Sequence, residues 1–369
     1  MRILIVMAGP AFAEARDVVA SRTPALLDEV AGLGVVPEVV LLGDPEGLRD
    51  RLPPQVRVHV VGSRAVTPSA GGALLIPGVV PGVRRLIRTR RPDVVEGDEP
   101  LPAIAAGIAA RGCGARVVYR RHHVSRSRGL VAASRIAARL ADRTIVSNDA
   151  ARAEAVRTDR VDGDRVLIAG SGAADLRRVE PGETDRLRSR LGIPAAAPVV
   201  VGIGRLRAEK GFDVLVEAAR GMPREAHVAI VGNGPERRRL AAMTGRSEVP
   251  VHLVGHQADI APWLALADVV AVPSRCEAFG RVPVEAMAAG RAVVASRTGG
   301  LALAVVDGET GVLVEPEDPG ALAAAVSGLL ADPDRRGGMA LAARRRFESR
   351  HTLGAMARSW CETWEAALA

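Results

Sequence analysis

Short apolar runs alternate with longer helix-forming stretches along the whole chain. In the first half, Arg2 to Met7, Pro37 to Leu42, Val56 to Val61, Asp93 to Glu96, Ala115 to Arg120 and Thr144 to Ser147 read as strands of four to six residues built around Val, Ile or Leu. Between them, Ala25 to Ala31, Val79 to Arg90, Leu101 to Arg111 and Val131 to Leu140 read as helices, the second stopped by Pro92. The pattern restarts after a junction rich in Pro and Gly around Pro181, Gly192, Pro194 and Pro198. Pro198 to Val201, His227 to Val231, Val251 to Val254, Val269 to Val272 and Ala292 to Ser296 are the strands of this half. Its helices are Phe212 to Ala219, Glu236 to Met243, Ile260 to Leu266, a short one around Pro283, and Ala321 to Leu330. Strand and helix in strict alternation predict βαβ units, hence parallel sheets covered on both faces. The fold class is α/β, with two doubly wound Rossmann-like domains facing a central cleft and ligands at the carboxyl ends of the strands.

A chain of 369 residues suits two such domains. Boundaries are placed at residues 1–178 and 179–350, with 351–369 a terminal helix expected to pack back on the first domain. Trp360 and Trp364, four apart, would share one face of that helix as packing anchors. The amino-terminal run Met1 to Ala15 imitates a signal peptide, but one basic residue precedes it and Gly9-Pro10 interrupts it, so a buried first strand is preferred. No run of about 18 apolar residues follows. Cys113, Cys276 and Cys361 are odd in number and far apart, which argues against a disulfide framework or a zinc site and for a reducing cytoplasm.

Charge divides unevenly. Residues 1–180 carry 27 basic and 20 acidic groups, a net of +7, and residues 181–369 carry 23 and 22, a net of +1. The excess peaks at Arg84 to Arg91 and Arg116 to Arg128. It suits an anionic acceptor or an anionic membrane surface at the cytoplasmic face, or reflects an Arg-rich composition. Nucleic acid is disfavoured, because only Tyr119 among the eight aromatic residues interleaves with these runs.

The candidate chemistry lies in P-S-R-C-E-A-F-G-R-V-P-V-E-A-M-A-A-G, Pro273 to Gly290. Pro283 fits a first helical turn, and Gly290 supplies a left-handed stop. Glu285 is thereby expected in the first turn, with Glu277 in the preceding loop. Backbone N–H groups near Gly280, Arg281 and Val282 would face an anion. A second constellation, G-I-G-R-L-R-A-E-K-G from Gly202 to Gly211, follows a strand and replaces the third glycine of a nicotinamide site with Arg205 and Lys210. Lys210 is the sole lysine among 50 basic residues. Where charge alone suffices this chain uses Arg, so Lys210 marks a place for a compact ammonium. V-G-N-G-P, Val231 to Pro235, is either a tight turn or a ligand contact.

Taken in chain order, G-I-G-R-L-R-A-E-K-G, A-I-V-G-N-G-P, V-H-L-V-G-H, A-D-V-V-A-V-P-S, E-A-F-G-R-V-P-V-E-A-M-A-A-G and G-G-L-A-L-A-V-V-D-G-E-T-G-V-L-V resemble the retaining glycosyltransferases of family four, also called glycosyl transferases group one, with the GT-B fold. The resemblance implies a nucleoside-diphosphate sugar donor, with UDP as the default nucleotide, and a small-molecule or lipid-linked acceptor bound in the first domain. It implies that Arg205 and Lys210 neutralise the leaving diphosphate and that Glu277 holds donor-sugar hydroxyls. Gly204 and the backbone of Phe279, Gly280, Arg281 and Val282 would contact the donor, and Glu285 the ribose. His122, or less readily His123, would face the donor sugar. Transfer would retain anomeric configuration without a protein nucleophile, and neither metal nor cofactor is expected. Asp162-Gly163-Asp164 imitates a metal-binding DxD but precedes the strand Val166 to Ala169 and reads as a turn. The chain departs from the family at G-P-A-F-A-E-A-R after the first strand, where a Gly-Gly loop is usual, and at S-G-A-A-D, Ser171 to Asp175. Two rival readings are a nucleotide-sugar epimerase or hydrolase on the same scaffold and a non-catalytic nucleotide-sugar-binding protein.

Overall fold

The computed structural model describes residues 1–8, 16–43, 52, 54–62, 73–122, 128–245, 247–277 and 279–369, without the side chains of 16–23. The loop from Gly9 and the alternative His123 lie outside the described residues.

Among the described residues the chain forms two fully parallel sheets. The first contains β1 (Arg2–Ala8), β2 (Val36–Leu42), β3 (Arg57–Val61), β4 (Val94–Asp98), β5 (Arg116–Arg120), β6 (Arg143–Val146) and β7 (Val166–Ile168), in the order β3-β2-β1-β4-β5-β6-β7. The second contains β8 (Val199–Ile203), β9 (His227–Val231), β10 (Val251–Gly255), β11 (Val269–Val272), β12 (Ala292–Ser296) and β13 (Gly311–Val314), in the order β10-β9-β8-β11-β12-β13. In each sheet the winding reverses once, between β1 and β4 and between β8 and β11. These are the switch points where doubly wound folds hold ligands.

The chain divides into two compact units, Met1–Ala174 with Leu353–Ala369, and Asp175–Thr352. The crossover lies ahead of Pro181 because ion pairs tie the segment after Ala174 to the second unit. Arg344 forks onto Asp175 at 2.8 and 2.9 Å, and Arg177 reaches Glu183 and Asp259.

Side-chain alternation builds the first unit's two core layers. Leu4, Val6 and Val40 pack with Val83, Ala105 and Ala137 on one face of the sheet. Ile3, Ile5 and Val39 pack on the other with Leu26, Leu27 and, from helix Leu353–Leu368, Met356, Trp360 and Trp364. Trp360 and Trp364 meet edge to face at 5.8 Å, and Trp364 is fully buried. In the second unit Val200, Val228, Val269 and Val294 pack against Leu215, Leu322 and Val326.

Two helices of nine or more residues escape the sequence pattern. Glu183–Leu191 buries no residue and so has no apolar stripe to read. Pro333–Arg346 contains Gly337-Gly338 but is secured by burial of Met339 and Ala343 and by Asp332, whose carboxylate caps Arg335 N–H at 2.9 Å. The segment Asp162 to Asp164 is a capped turn, with Asp162 accepting from Asp164 N–H at 3.2 Å.

Candidate active site

Both sequence constellations emerge at the second sheet's switch point. The Gly204 to Lys210 loop leaves β8 and the Pro273 to Gly280 loop leaves β11, which pairs directly with β8. The loops pack backbone to backbone. A Cβ on Gly211, which sits at φ 64°, would lie 2.0 Å from the Pro273 carbonyl oxygen, so a side chain there would drive the loops apart. Lys210 ends a 3₁₀ turn, Ala208–Lys210, and its ammonium bonds the Glu277 carboxylate. The Glu277 carbonyl in turn accepts from Gly300 N–H at 2.8 Å. The lone lysine and the loop glutamate, 67 positions apart, thus form one charge pair. Arg205 lies exposed on the same loop, just past Gly204.

The V-G-N-G-P turn buttresses this loop. A Cβ on Gly232 would lie 1.8 Å from the Gly204 oxygen. Gly204 N–H donates to Val231 O at 3.0 Å and Leu206 N–H to Asn233 O at 2.9 Å. Of the two readings open for this turn, the described contacts favour packing.

Helix Arg281–Ala288 corrects one expectation. Gly280, at φ 86°, serves as its N-cap, so Arg281 and Val282 are already helical. Glu285 therefore stands in the second turn, not the first. It is 8% exposed and accepts from Arg281 Nη2 at 2.9 Å, an i, i+4 pair. The N–H groups of Arg281 and Val282 remain at the helix start, which is suited to an anion. Phe279 stacks edge to face on His351 at 6.1 Å, which fixes the loop entering the helix. Gly290 stops the helix at φ 60°.

In the first unit His122 follows β5 and its Nε2 lies 2.6 Å from Asp98 Oδ1 at the end of β4. Two residues back on each strand, on the same face of the sheet, Arg120 forks onto Glu96 at 2.6 and 2.9 Å. Glu96 also accepts from Trp364 Nε1 at 2.6 Å, and the Arg120 guanidinium covers the Trp360 ring at 3.5 Å. A buried polar cluster thus underlies the exposed His122–Asp98 pair. Glu99, next to Asp98, holds φ 79°, a conformation that costs a non-glycine residue about 1–3 kcal/mol. The basic run from Arg116 is less available than its charge suggested. Arg120 is spent on Glu96, and Arg121 on Asp159 at 2.7 Å, both arginines buried. Exposed guanidinium remains on Arg85, Arg88 and Arg91, within and just after helix Ile76–Arg90. Asp98, Glu99 and Arg275 were not singled out from the sequence; the strained Glu99 backbone and the Asp98 pairing appear only on folding.

The doubly wound pair of units and the ordered motifs define a class, the GT-B glycosyltransferases. The model for Glycosyltransferase Family 4 matches residues 19–172, and that for Glycosyl transferases group 1 matches residues 197–332. Between them they take in most of both units, and the chain belongs to this glycosyltransferase family. It is similar to D-inositol 3-phosphate glycosyltransferase 2 of Catenulispora acidiphila, 40% identical over 212 residues, which are 53% of this chain and 49% of that protein. The D-inositol 3-phosphate glycosyltransferase of Xylanimonas cellulosilytica is 39% identical over 223 residues, 56% of this chain and 53% of that protein. The chain spans about half the length of these curated relatives. Among solved structures, Anabaena HepE in complex with UDP aligns with a TM-score of 0.79 at 23% identity, covering 99% of this chain and 100% of that one. A glycosyltransferase from Rickettsia africae aligns with a TM-score of 0.82 at 18% identity, covering 100% and 98%. At these identities the likeness to both structures is one of fold.

Proposed function

We propose that this chain is a retaining, metal-independent glycosyltransferase that moves a sugar from a nucleoside-diphosphate sugar, UDP-sugar first, to a phosphorylated acceptor. The observation that carries this reading is the Lys210–Glu277 pair at the β8/β11 switch point, on the loop that leads into the helix bearing buried Glu285. Lys210 and Arg205 offset the charge that develops on the departing diphosphate, the work a metal ion does elsewhere. Glu277 accepts from sugar hydroxyls and Glu285 from the ribose. Gly204 and the Phe279 to Val282 backbone approach the phosphates and sugar. The acceptor hydroxyl attacks C1 on the face from which the diphosphate leaves and passes its proton to the departing oxygen, so no covalent glycosyl-enzyme forms. His122, braced by Asp98, is the first unit's contribution.

UDP as donor is supported by the HepE complex, and a phosphorylated acceptor by the relatives named for D-inositol 3-phosphate and by the net +7 of residues 1–180. A calorimetric panel of UDP-, GDP-, ADP- and TDP-sugars, followed by transfer to inositol phosphates with and without EDTA, tests the proposal. Selective UDP-sugar binding and an EDTA-resistant product with the donor's anomeric configuration are expected. Inversion, EDTA inactivation or donor turnover to an epimer without acceptor would overturn it.

Among the described residues no helix is long and apolar enough to cross a membrane. Exposed Arg85, Arg88 and Arg91 support peripheral contact with an anionic surface, on the cytoplasmic side where the three free cysteines stay reduced. Failure to co-sediment with anionic vesicles at low salt would remove the membrane contact.

A further inference from the structure

We infer that Arg275 is the positioning residue that holds the two donor loops in register. It lies two residues before Glu277 on the loop leaving β11. Its backbone N–H donates to Glu209 O at 2.8 Å, beside Lys210. Its Nη1 donates to Ala208 O at 2.6 Å and to Asp213 Oδ1 at 2.9 Å, and its Nη2 to Asp213 Oδ2 at 3.0 Å. Its Nε reaches Glu317 Oε1 at 2.9 Å, after β13. The Arg275 carbonyl accepts from Thr298 Oγ1 at 3.3 Å. One guanidinium therefore grips the segment around Lys210 on both sides and anchors the Glu277 loop to it. Asp213 is itself steadied by Arg239 at 3.2 Å.

A planar fork is required, because a lysine ammonium cannot engage both Asp213 oxygens, a carbonyl and a second carboxylate from one side chain. The side chains of Arg275 and Asp213 are 28% and 14% exposed, so replacing the arginine does not strand a fully buried charge. The inference rests on the proposed donor role of Lys210 and Glu277, and it predicts that Arg275 acts through them without touching substrate.

Two measurements on the full chain test it. Hydrogen–deuterium exchange of R275Q should accelerate together in residues 205–213 and 273–277, with β8 and β11 unchanged. Unchanged loop exchange would overturn the inference whatever the enzyme does. Steady-state kinetics should show R275Q and R275K both losing donor kcat/KM on the order of 10²-fold, as expected for misplaced groups. The loss should shrink to a few-fold in an E277Q background, since the pair can be misaligned only once. Normal kinetics in R275Q, or full additivity with E277Q, would overturn it. A wild-type chain that transfers no sugar, with R275Q still loosening both loops, would instead refute the donor reading and leave the positioning role standing.

Discussion

Replacing Glu96 with Leu should destabilise the first unit by about 3–5 kcal/mol, the cost of removing one partner of a buried ion pair. Glu96 is fully buried and accepts three hydrogen bonds, two from Arg120 and one from Trp364 Nε1. Without it a guanidinium only 4% exposed loses its counter-charge, and the indole N–H loses its acceptor. The Trp360 ring beneath Arg120 is retained, but as a contact of about 2 kcal/mol already made in the native chain it offsets none of the loss. E96L/R120M, which removes both charges, should recover most of the loss and retain a deficit of about 1–3 kcal/mol from the orphaned indole N–H. Adding W364F should recover part of that remainder. The assay is urea unfolding followed by tryptophan fluorescence, since Trp360 and Trp364 lie in this cluster and Trp263 reports the second unit. An E96L cost below about 1 kcal/mol, or a double mutant as unstable as the sum of its singles, would refute the reasoning.

At the site, K210A and E285A should each lose about 1.5–3 kcal/mol of donor interaction, roughly 10- to 150-fold in kcat/KM, and K210R should not rescue; full activity in either alanine variant would end their assignment. D98N should lower kcat by roughly 10-fold or more, by loosening His122. H122A/D98N should then be no worse than H122A, whereas additive losses would separate the two residues. His227 and His252 stack, Nδ1 to Nε2 at 3.1 Å, and burial holds both imidazoles below their usual pKa, aided by Arg188 for His227 and by His227 for His252. Their contribution to stability is present above the ordinary imidazole value of about 6.5 and is lost as pH falls below it. The second unit's urea midpoint should therefore drop between pH 7.5 and 5.5, and H252L should flatten that drop; an equal drop in both would exclude the pair as its cause.

Strands β9, β11 and β12 match the expected spans residue for residue, because uninterrupted Val, Ile and Ala between polar boundaries leave one place for a buried strand. Helix Glu183–Leu191 was invisible for the opposite reason, since its capping and ion pairs leave no periodic apolar trace. Glu277, Glu285 and Lys210 were legible as a set because chemistry restricts residue type at those loops. Glu285 falls in the second turn, not the first, because Gly280 at φ 86° starts the helix at Arg281, two residues ahead of Pro283. Arg275 gave no signal: its partners Asp213 and Glu317 lie 62 positions before it and 42 after it. The buried state of Arg120 and Arg121 was likewise hidden, because a charge count cannot tell a solvated guanidinium from one facing Glu96 or Asp159.

Helix Leu353–Leu368, bound to the first unit through Glu96 and the Trp pair, makes that unit discontinuous in sequence. A ribosome delivers Asp175–Thr352 as one uninterrupted segment, so the second unit can complete its core during synthesis. The first unit must wait until the last helix has emerged for Met356, Trp360 and Trp364 to complete the layer that Ile3, Ile5 and Val39 share with Leu26 and Leu27. The unit begun first is therefore the one completed last.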